Sequence, residues 1–332
     1  MEKRSILFIS GVPDNKKTTL TKVKKNGMVD LVHSGSSNIF QYLHDEKFHR
    51  LRLIFDANPT QEVMRLQFHA VFNQISDPDT HKVSLIKTKE LKSKLPENLP
   101  FFNDPDKVVL TTRDNIYTLL HGIEKLNVPK TIRIQPKTPA EIYEAIKQEK
   151  FKFPVILRQA GYHGGINTIL VKDKTEQFHA FALDGRDYYL TQFTDYAENK
   201  TYKKFRLAIV KGEPFIRHVI YSDSWMVHSG SRSFMEKHPE YIQKEKKLIQ
   251  TFNTKIKPHI LPTVQKIYKT IGLDYFGIDC YIDKNHNITV FEINANMNML
   301  LNSSKEKNNI WEKQINLIIK AIESMIKDRI TS

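Results

Sequence analysis

The stretch Tyr275–Asn294, YFGIDCYIDKNHNITVFEIN, sets two carboxylates, Asp279 and Glu292, among residues that otherwise alternate as buried strand. Ile278, Cys280 and Ile282 share one parity and Phe291 and Ile293 another, with the polar DKNHN between them, so the segment reads as a hairpin. A four-residue loop closed by Asp283 and Ile288 places Asp279 opposite Glu292 and Ile278 opposite Ile293. Facing Cβ atoms then lie about 5 Å apart, where like charges repel. Asn294, two residues beyond Glu292, shares its face and adds a neutral oxygen. Three hard donors on one face suit Mg²⁺ kept partly hydrated and completed by phosphates. The plainer alternative is a solvent-facing pair of acids. Tyr275, Phe276, Phe291 and Ile293 argue against it, because they make the hairpin part of a core, where isolated carboxylates are costly.

The rest of the chain frames that hairpin. With 332 residues, 40% of them hydrophobic, it is long enough for two or three packed layers or lobes. No apolar run of about 18 residues supports a membrane span, and the start MEKRSILFIS lacks the long apolar stretch of a signal peptide. The single cysteine, Cys280, cannot form an internal disulfide and alternates with core positions, which points to a reducing, cytoplasmic setting. A net charge of +14 admits nucleic acid, an anionic membrane, or acidic small molecules and peptides as partners. Lysine is spread, with short clusters such as KKTTLTKVKK and QKEKKL and no interleaved aromatic repeat. A solvated lysine-rich surface is the favoured reading, and nucleic acid is disfavoured.

Over the first hundred residues, apolar runs (SILFIS, LRLIFD, HAVFNQI) alternate with polar stretches in the rhythm of βα units around a mostly parallel sheet. The spacing predicts a helix from near Thr112, striped by Ile116, Leu119, Leu120 and Ile123 and stopped by Pro129. KTIRI and FPVILR read as strands. Thr138, Pro139 and Glu141 mark a capped helix start between them. Antiparallel strands follow in DYYLTQFTDY and in KKFRLAIVKGEPFIRHVIYS, with a turn at KGEP. Residues 236–271 read as helix interrupted at Pro258 and Pro262, and residues 309–328 carry a helical stripe expected to pack on the last lobe.

Several candidate sites compete. GVPDNKKT nearly spells a phosphate loop, but Lys16 stands where a glycine must let the backbone wrap the anion, so a solvated turn is expected. In RQAGYHGG, Arg158 ends a strand and Gly161, Gly164 and Gly165 would let backbone N–H groups approach an anion, a weak signal when taken alone. Arg206 and Arg217 on consecutive strands could meet one anion, though arginines on strand faces are often surface charges. His163, His218 and His228 fit no zinc spacing and read as structural, and there is no G-x-S-x-G elbow. The WMVHSGSRSF segment turns His228, Ser231 and Arg232 toward an unknown partner.

Taken in order, these pieces resemble the ATP-grasp superfamily, specifically its carboxylate–amine ligases of the RimK and glutathione-synthetase type. The similarity spreads over roughly residues 100–300, and GLDYFGIDCYID…VFEINANMNM is its strongest part. The resemblance implies an α/β fold of α+β lobes: an N-terminal α/β pre-ATP-grasp domain over 1–110, a small lobe with the glycine-rich loop over 111–192, and a large lobe with the metal-binding hairpin over 193–332. It implies that Asp279, Glu292 and Asn294 bind two Mg²⁺ ions, with Mn²⁺ able to substitute, which bridge ATP phosphates. Arg113 and Arg158 stand where many relatives have phosphate-binding lysines, and arginine keeps the charge but changes the geometry. YHGG lies where a mobile loop closes over the triphosphate, so Gly161, His163, Gly164 and Gly165 are assigned to the nucleotide. Gln192, Phe193 and Asp195 of LTQFTD correspond to the segment that holds adenine. Arg206 and Arg217 match R-x-x-x-V-x-G…R, the second arginine steadying an acyl-phosphate and its tetrahedral successor. The implied activity joins an acidic small-molecule or peptide carboxylate to an amine through an acyl-phosphate, releasing ADP and phosphate. Peptide-modifying relatives that form ester or amide crosslinks, and kinase-like relatives, are the alternatives, and a basic nucleic-acid-binding module is the rival of another class. A homodimer is the default expectation.

Overall fold

A computed structural model describes residues 3–23, 29–32, 34–37, 39–44, 46–55, 66–301 and 309–331; Lys24 and Lys25 of the basic cluster lie outside them. The first part of the chain gives β1 (Arg4–Gly11), β2 (Thr19–Val23), β3 (Val29–Val32), α1 (Ile39–Tyr42), β4 (Phe48–Phe55), β5 (Ala70–Asn73), α2 (Lys82–Ser93), β6 (Phe101–Phe102) and α3 (Pro105–Val108). β4, β1, β5 and β6 lie in that order with every pair parallel; the central β1 and β5 are continuous buried apolar runs, while the edge strand β4 alternates Arg50 and Arg52 with Leu51 and Leu53. Phe8, Phe72 and Phe102 stack across three strands at 5.7 and 5.6 Å. The turn after β1 is exposed, and Lys16 does adopt a positive φ of 56°. A strand follows it, so the helix N-terminus that a phosphate loop needs is missing. Asp14 in this turn instead caps α2, accepting from the N–H groups of Lys82 (2.9 Å) and Val83 (3.0 Å).

The middle of the chain gives α4 (Arg113–Leu120), β7 (Leu126–Asn127), β8 (Thr131–Ile134), α5 (Pro139–Gln148), β9 (Val155–Gln159), β10 (Thr168–Val171) and β11 (Tyr188–Gln192). α4 begins where expected but ends well before Pro129. His121 turns extended and Gly122 takes a φ of 90°, and the chain thus freed makes β7. α5 opens as the sequence indicates: the Thr138 hydroxyl accepts from the Glu141 N–H, while the Glu141 carboxylate accepts from the Lys137 N–H, one residue before the cap. Strands in the order β10-β9-β11-β8 form an antiparallel sheet, with Ile142 and Ile146 of α5 packed on Val155, Leu157 and Leu190.

The last part gives β12 (Tyr202–Val210), β13 (Glu213–Ser222), α6 (Arg232–Lys237), α7 (Pro239–Thr251), α8 (Lys257–Ile271), β14 (Tyr275–Ile282), β15 (Ile288–Ala295) and α9 (Ile310–Thr331). The helical interruption is a π-helical turn at Phe252–Ile256, not a break at either proline. Pro258 sits in the first turn of α8, where an N–H has no intrahelical partner to lose, and Pro262 lies inside the helix. The sheet order is β13-β12-β14-β15-β7, so residues 126–127 join this sheet although they fall within the 111–192 span expected for the small lobe. α9 packs on this sheet and also against the first, where Ile318 and Ile322 share a core cluster with Ile6, Phe8, Ala208 and Val210.

The β14–β15 hairpin pairs Asp279 with Glu292, Ile278 with Ile293 and Gly277 with Asn294, as the alternation dictates. It arrives there by a different route. The loop has three residues, because Asp283 pairs with Asn287 and its carboxylate accepts from the N–H groups of Asn285 and Asn287, both at 2.8 Å. A bulge at Phe291 then restores the register. The bulge turns the Phe291 carbonyl toward the Arg113 guanidinium, which donates to it at 2.7 Å. Gly277 fixes the approach of the following chain, since a Cβ there would stand 2.5 Å from the Met297 Cβ. Gly277→Ala is expected to cost about 1–3 kcal/mol by overpacking, read as a lower urea midpoint at unchanged slope.

Candidate active site

Sheet register sets His218 (β13), Arg206 (β12), Asp279 (β14) and Glu292 (β15) in one cross-strand row. At about 4.8 Å between strands the row spans about 14 Å. Arg217 was expected beside Arg206, but a bulge between β12 and β13 makes Arg217 the extra residue and brings His218 opposite Arg206. The Arg217 guanidinium is buried and donates to the carbonyls of Met299 (2.7 Å) and Leu301 (3.0 Å), fastening the chain beyond β15.

Each acid in the row already faces protein cations. Asp279 is 2% exposed; Arg206 Nε donates to its Oδ1 at 2.7 Å, and Arg206 Nη2 and Lys204 Nζ donate to its Oδ2 at 2.8 and 2.9 Å. Burial alone would raise the Asp279 carboxyl, yet Arg206 and Lys204 prevail and hold it down at about 2. Glu292 Oε1 lies 2.8 Å from Arg113 Nη2 and 3.2 Å from His163 Nδ1, and these charges likewise overcome burial to keep the carboxyl well below the usual range. The other ring nitrogen of His163 is 3.1 Å from Oδ2 of Asp77, in the loop after β5, and the two acids raise the imidazole to about 10. Arg158 is the opposite case. Burial and the neighbouring Arg113 push its guanidinium down to about 9, and among the described residues no side chain or carbonyl accepts from it. His218 is kept neutral by burial first and then by Arg206, Arg232, Arg217 and Lys204.

A cavity of about 590 Å³ opens over this row. It is lined by the expected Arg113, Arg158, His163, Gly164, Gly165, Gln192, Phe193, Arg206, Asp279, Glu292 and Asn294, and it is large enough for a nucleotide. The lining omits Gly161, Asp195 and Arg217. Gly161 is turned against Thr80, and the Asp195 carboxylate accepts from the Ala197 N–H at 3.1 Å. The Gln192 amide is used internally, donating to the Lys152 carbonyl at 2.8 Å and accepting from its N–H at 3.0 Å, and its main-chain N–H donates to the Lys130 carbonyl at 2.8 Å. Ile116, Val128, Ile156 and Phe193 supply apolar lining beside the charged row. Five cationic side chains (Arg113, Arg158, His163, Lys204, Arg206) face three acids (Asp77, Asp279, Glu292), which suits a polyanion. Metal donors are present too. Glu292 and Asn294 line the cavity, and neither Glu292 Oε2 nor the Asn294 amide has a protein hydrogen bond among the described residues, whereas both Asp279 oxygens are taken. No cluster of three or more His, Cys, Asp or Glu side chains forms a metal site among the described residues.

Asp77, Lys204 and His218 line the cavity without having been assigned to it. Lys204 was within reach of the sequence, since it stands two residues before Arg206 and so shares its strand face. Asp77 follows a parallel strand at its carboxyl end, where open α/β sheets bind ligands. His218 was hidden by the bulge. Of the WMVHSGSRSF segment, His228 reaches the cavity, while Arg232 is engaged by Glu245.

Comparison with solved structures gives matches along the whole chain. A D-Ala:D-Ser ligase, VanG, from Enterococcus faecalis matches 99% of this chain and 100% of its own at 12% identity and a TM-score of 0.58. A RimK domain ATP-grasp protein from Sphaerobacter thermophilus matches 98% and 100% at 12% identity and 0.52. The chain has the ATP-grasp fold. A D-alanine–D-alanine ligase from Bacillus anthracis, solved with ATP, shares this ATP-grasp architecture over 99% of both chains at 12% identity and 0.55. No family model and no curated protein matches the sequence. No described helix is long and apolar enough to cross a membrane.

Proposed function

We propose that the protein is an ATP-dependent ligase that joins a carboxylate to an amine through an acyl-phosphate. The observation that carries this reading is the convergence, on an ATP-grasp fold, of Arg113, Arg158, Lys204 and Arg206 with Glu292 and Asn294 in one cavity. Adenine fits the apolar lining beside the main chain of Gln192–Phe193, and the triphosphate runs toward the hairpin under Gly164 and Gly165. Arg158, the cation without an acceptor, is the natural first partner for a phosphate. A Mg²⁺ ion held by Glu292 and Asn294 would add charge neutralisation at the phosphates.

The acceptor carboxylate fits beside Arg206 and His218, one and two strands from Asp279. Its oxygen attacks the γ-phosphorus, the β–γ bridging bond breaks, and ADP leaves. Arg206 and Lys204 stabilise the charge that builds on the transferred phosphoryl group. The amine then attacks the acyl carbon and expels phosphate. The departing phosphate takes the proton that amide formation releases, since the burial and the four cations that keep His218 neutral make it a poor base. ADP release measured over a panel of carboxylic acids, with and without amines, tests the reading. Release that requires both substrates and yields an amide supports it, and a stable phosphorylated acid formed without an amine would make the protein a kinase.

A further inference from the structure

The two expected metal ligands on facing strands are not equivalent. Asp279 receives a bidentate guanidinium from Arg206 and a third donor from Lys204, so both its oxygens are engaged in a site 2% exposed. Glu292 is engaged through Oε1, while its Oε2 and the amide of Asn294, two residues on and on the same face of β15, have no protein hydrogen bond among the described residues. Resting on the nucleotide reading above, we infer that the site takes one divalent ion, which Glu292 and Asn294 would hold, and that Lys204, held on Asp279, is the built-in cation in place of a second.

Mg²⁺ demands near-ideal octahedral geometry and short bonds to oxygen. To take Asp279 as a ligand it would have to pull the carboxylate from a fork-on-fork pair and an ammonium, stranding two partly buried cations without their counter-ion. Lys204 Nζ, 2.9 Å from Oδ2, would moreover repel a dication bound at that oxygen. The charge balance agrees. The cavity shows an excess of two protein cations, five against three acids, and a triphosphate with one divalent ion brings roughly two net negative charges, which a second ion would cancel. Asp279 is then a positioning residue: it aims Arg206 and Lys204 at the phosphoryl group.

The test is a count of bound Mn²⁺ by electron paramagnetic resonance on the full chain with saturating non-hydrolysable ATP analogue. One ion per bound analogue is expected, and two would overturn the inference while leaving the nucleotide reading intact. If calorimetry finds no binding of the analogue, that reading falls and this inference with it. In Lys204→Met, affinity for a second Mn²⁺ is expected to rise at least tenfold, and Lys204→Arg, which keeps the charge, is expected to hold one ion. A count of one in a folded Lys204→Met protein would remove the role given to Lys204. Should that variant not fold, the wild-type and Lys204→Arg counts still decide.

Discussion

Glu292→Gln is expected to lower ATP turnover about 10³-fold, or about 4 kcal/mol of transition-state stabilisation, with the fold retained. The substitution keeps the shape of the side chain and removes its charge, so Arg113 and His163 lose the acid they share and the hairpin loses its charged metal donor. Glu292→Asp, which keeps the charge but retracts the oxygens, should fall between the two. The measurement is the rate of ADP release at saturating substrates, with circular dichroism as the check on folding. Turnover within tenfold of wild type in Glu292→Gln would take this residue out of the nucleotide site.

Arg232→Ala is expected to destabilise the fold by about 3 kcal/mol, the lower part of the range for breaking a buried pair, because Arg232 itself is partly exposed. Glu245, fully buried, accepts from Arg232 Nη1 and Nη2 at 2.5 and 2.9 Å, from the Val219 N–H at 3.0 Å and from Trp311 Nε1 at 3.1 Å. It thus joins β13, α6, α7 and α9 behind the strand that carries His218 and Arg217. Removing the guanidinium leaves a buried carboxylate with two neutral donors. Equilibrium urea unfolding should show the loss as a lower midpoint. Arg232→Met combined with Glu245→Leu should cost less than Arg232→Ala alone, since both charges leave together. A single variant as stable as wild type would show that water already supplies the missing donor.

The hairpin, the parallel first sheet and the helix start at Thr138 could be read from alternation and caps, because such signals act between residues close in sequence. The bulges at Phe291 and Arg217 could not. Each inserts one residue into a ladder whose partner strand decides whether the extra residue is tolerated, and a single inserted residue flips every side chain beyond it. At Phe291 the bulge offset a three-residue loop, so the pairing of Asp279 with Glu292 held although the expected loop did not. At Arg217 nothing offset it, and the arginine expected at the phosphates was turned to the Met299 and Leu301 carbonyls. The length of α4 failed for a related reason: β7 gains a place beside β15 only if the helix stops.

By itself the sequence determined which oxygens face one another across β14 and β15 and which cations are near enough along the chain to matter, since period-two alternation places residues on faces without regard to the rest of the molecule. Only the tertiary structure decided which cation meets which acid. Lys204 and Arg206 reach Asp279 from another strand, Arg113 reaches Glu292 from a helix, and His163 joins Glu292 to Asp77 from the loop between β9 and β10. Such pairings depend on packing distances between elements far apart in the chain, and a carboxylate in low dielectric takes whichever cation the packing brings to it.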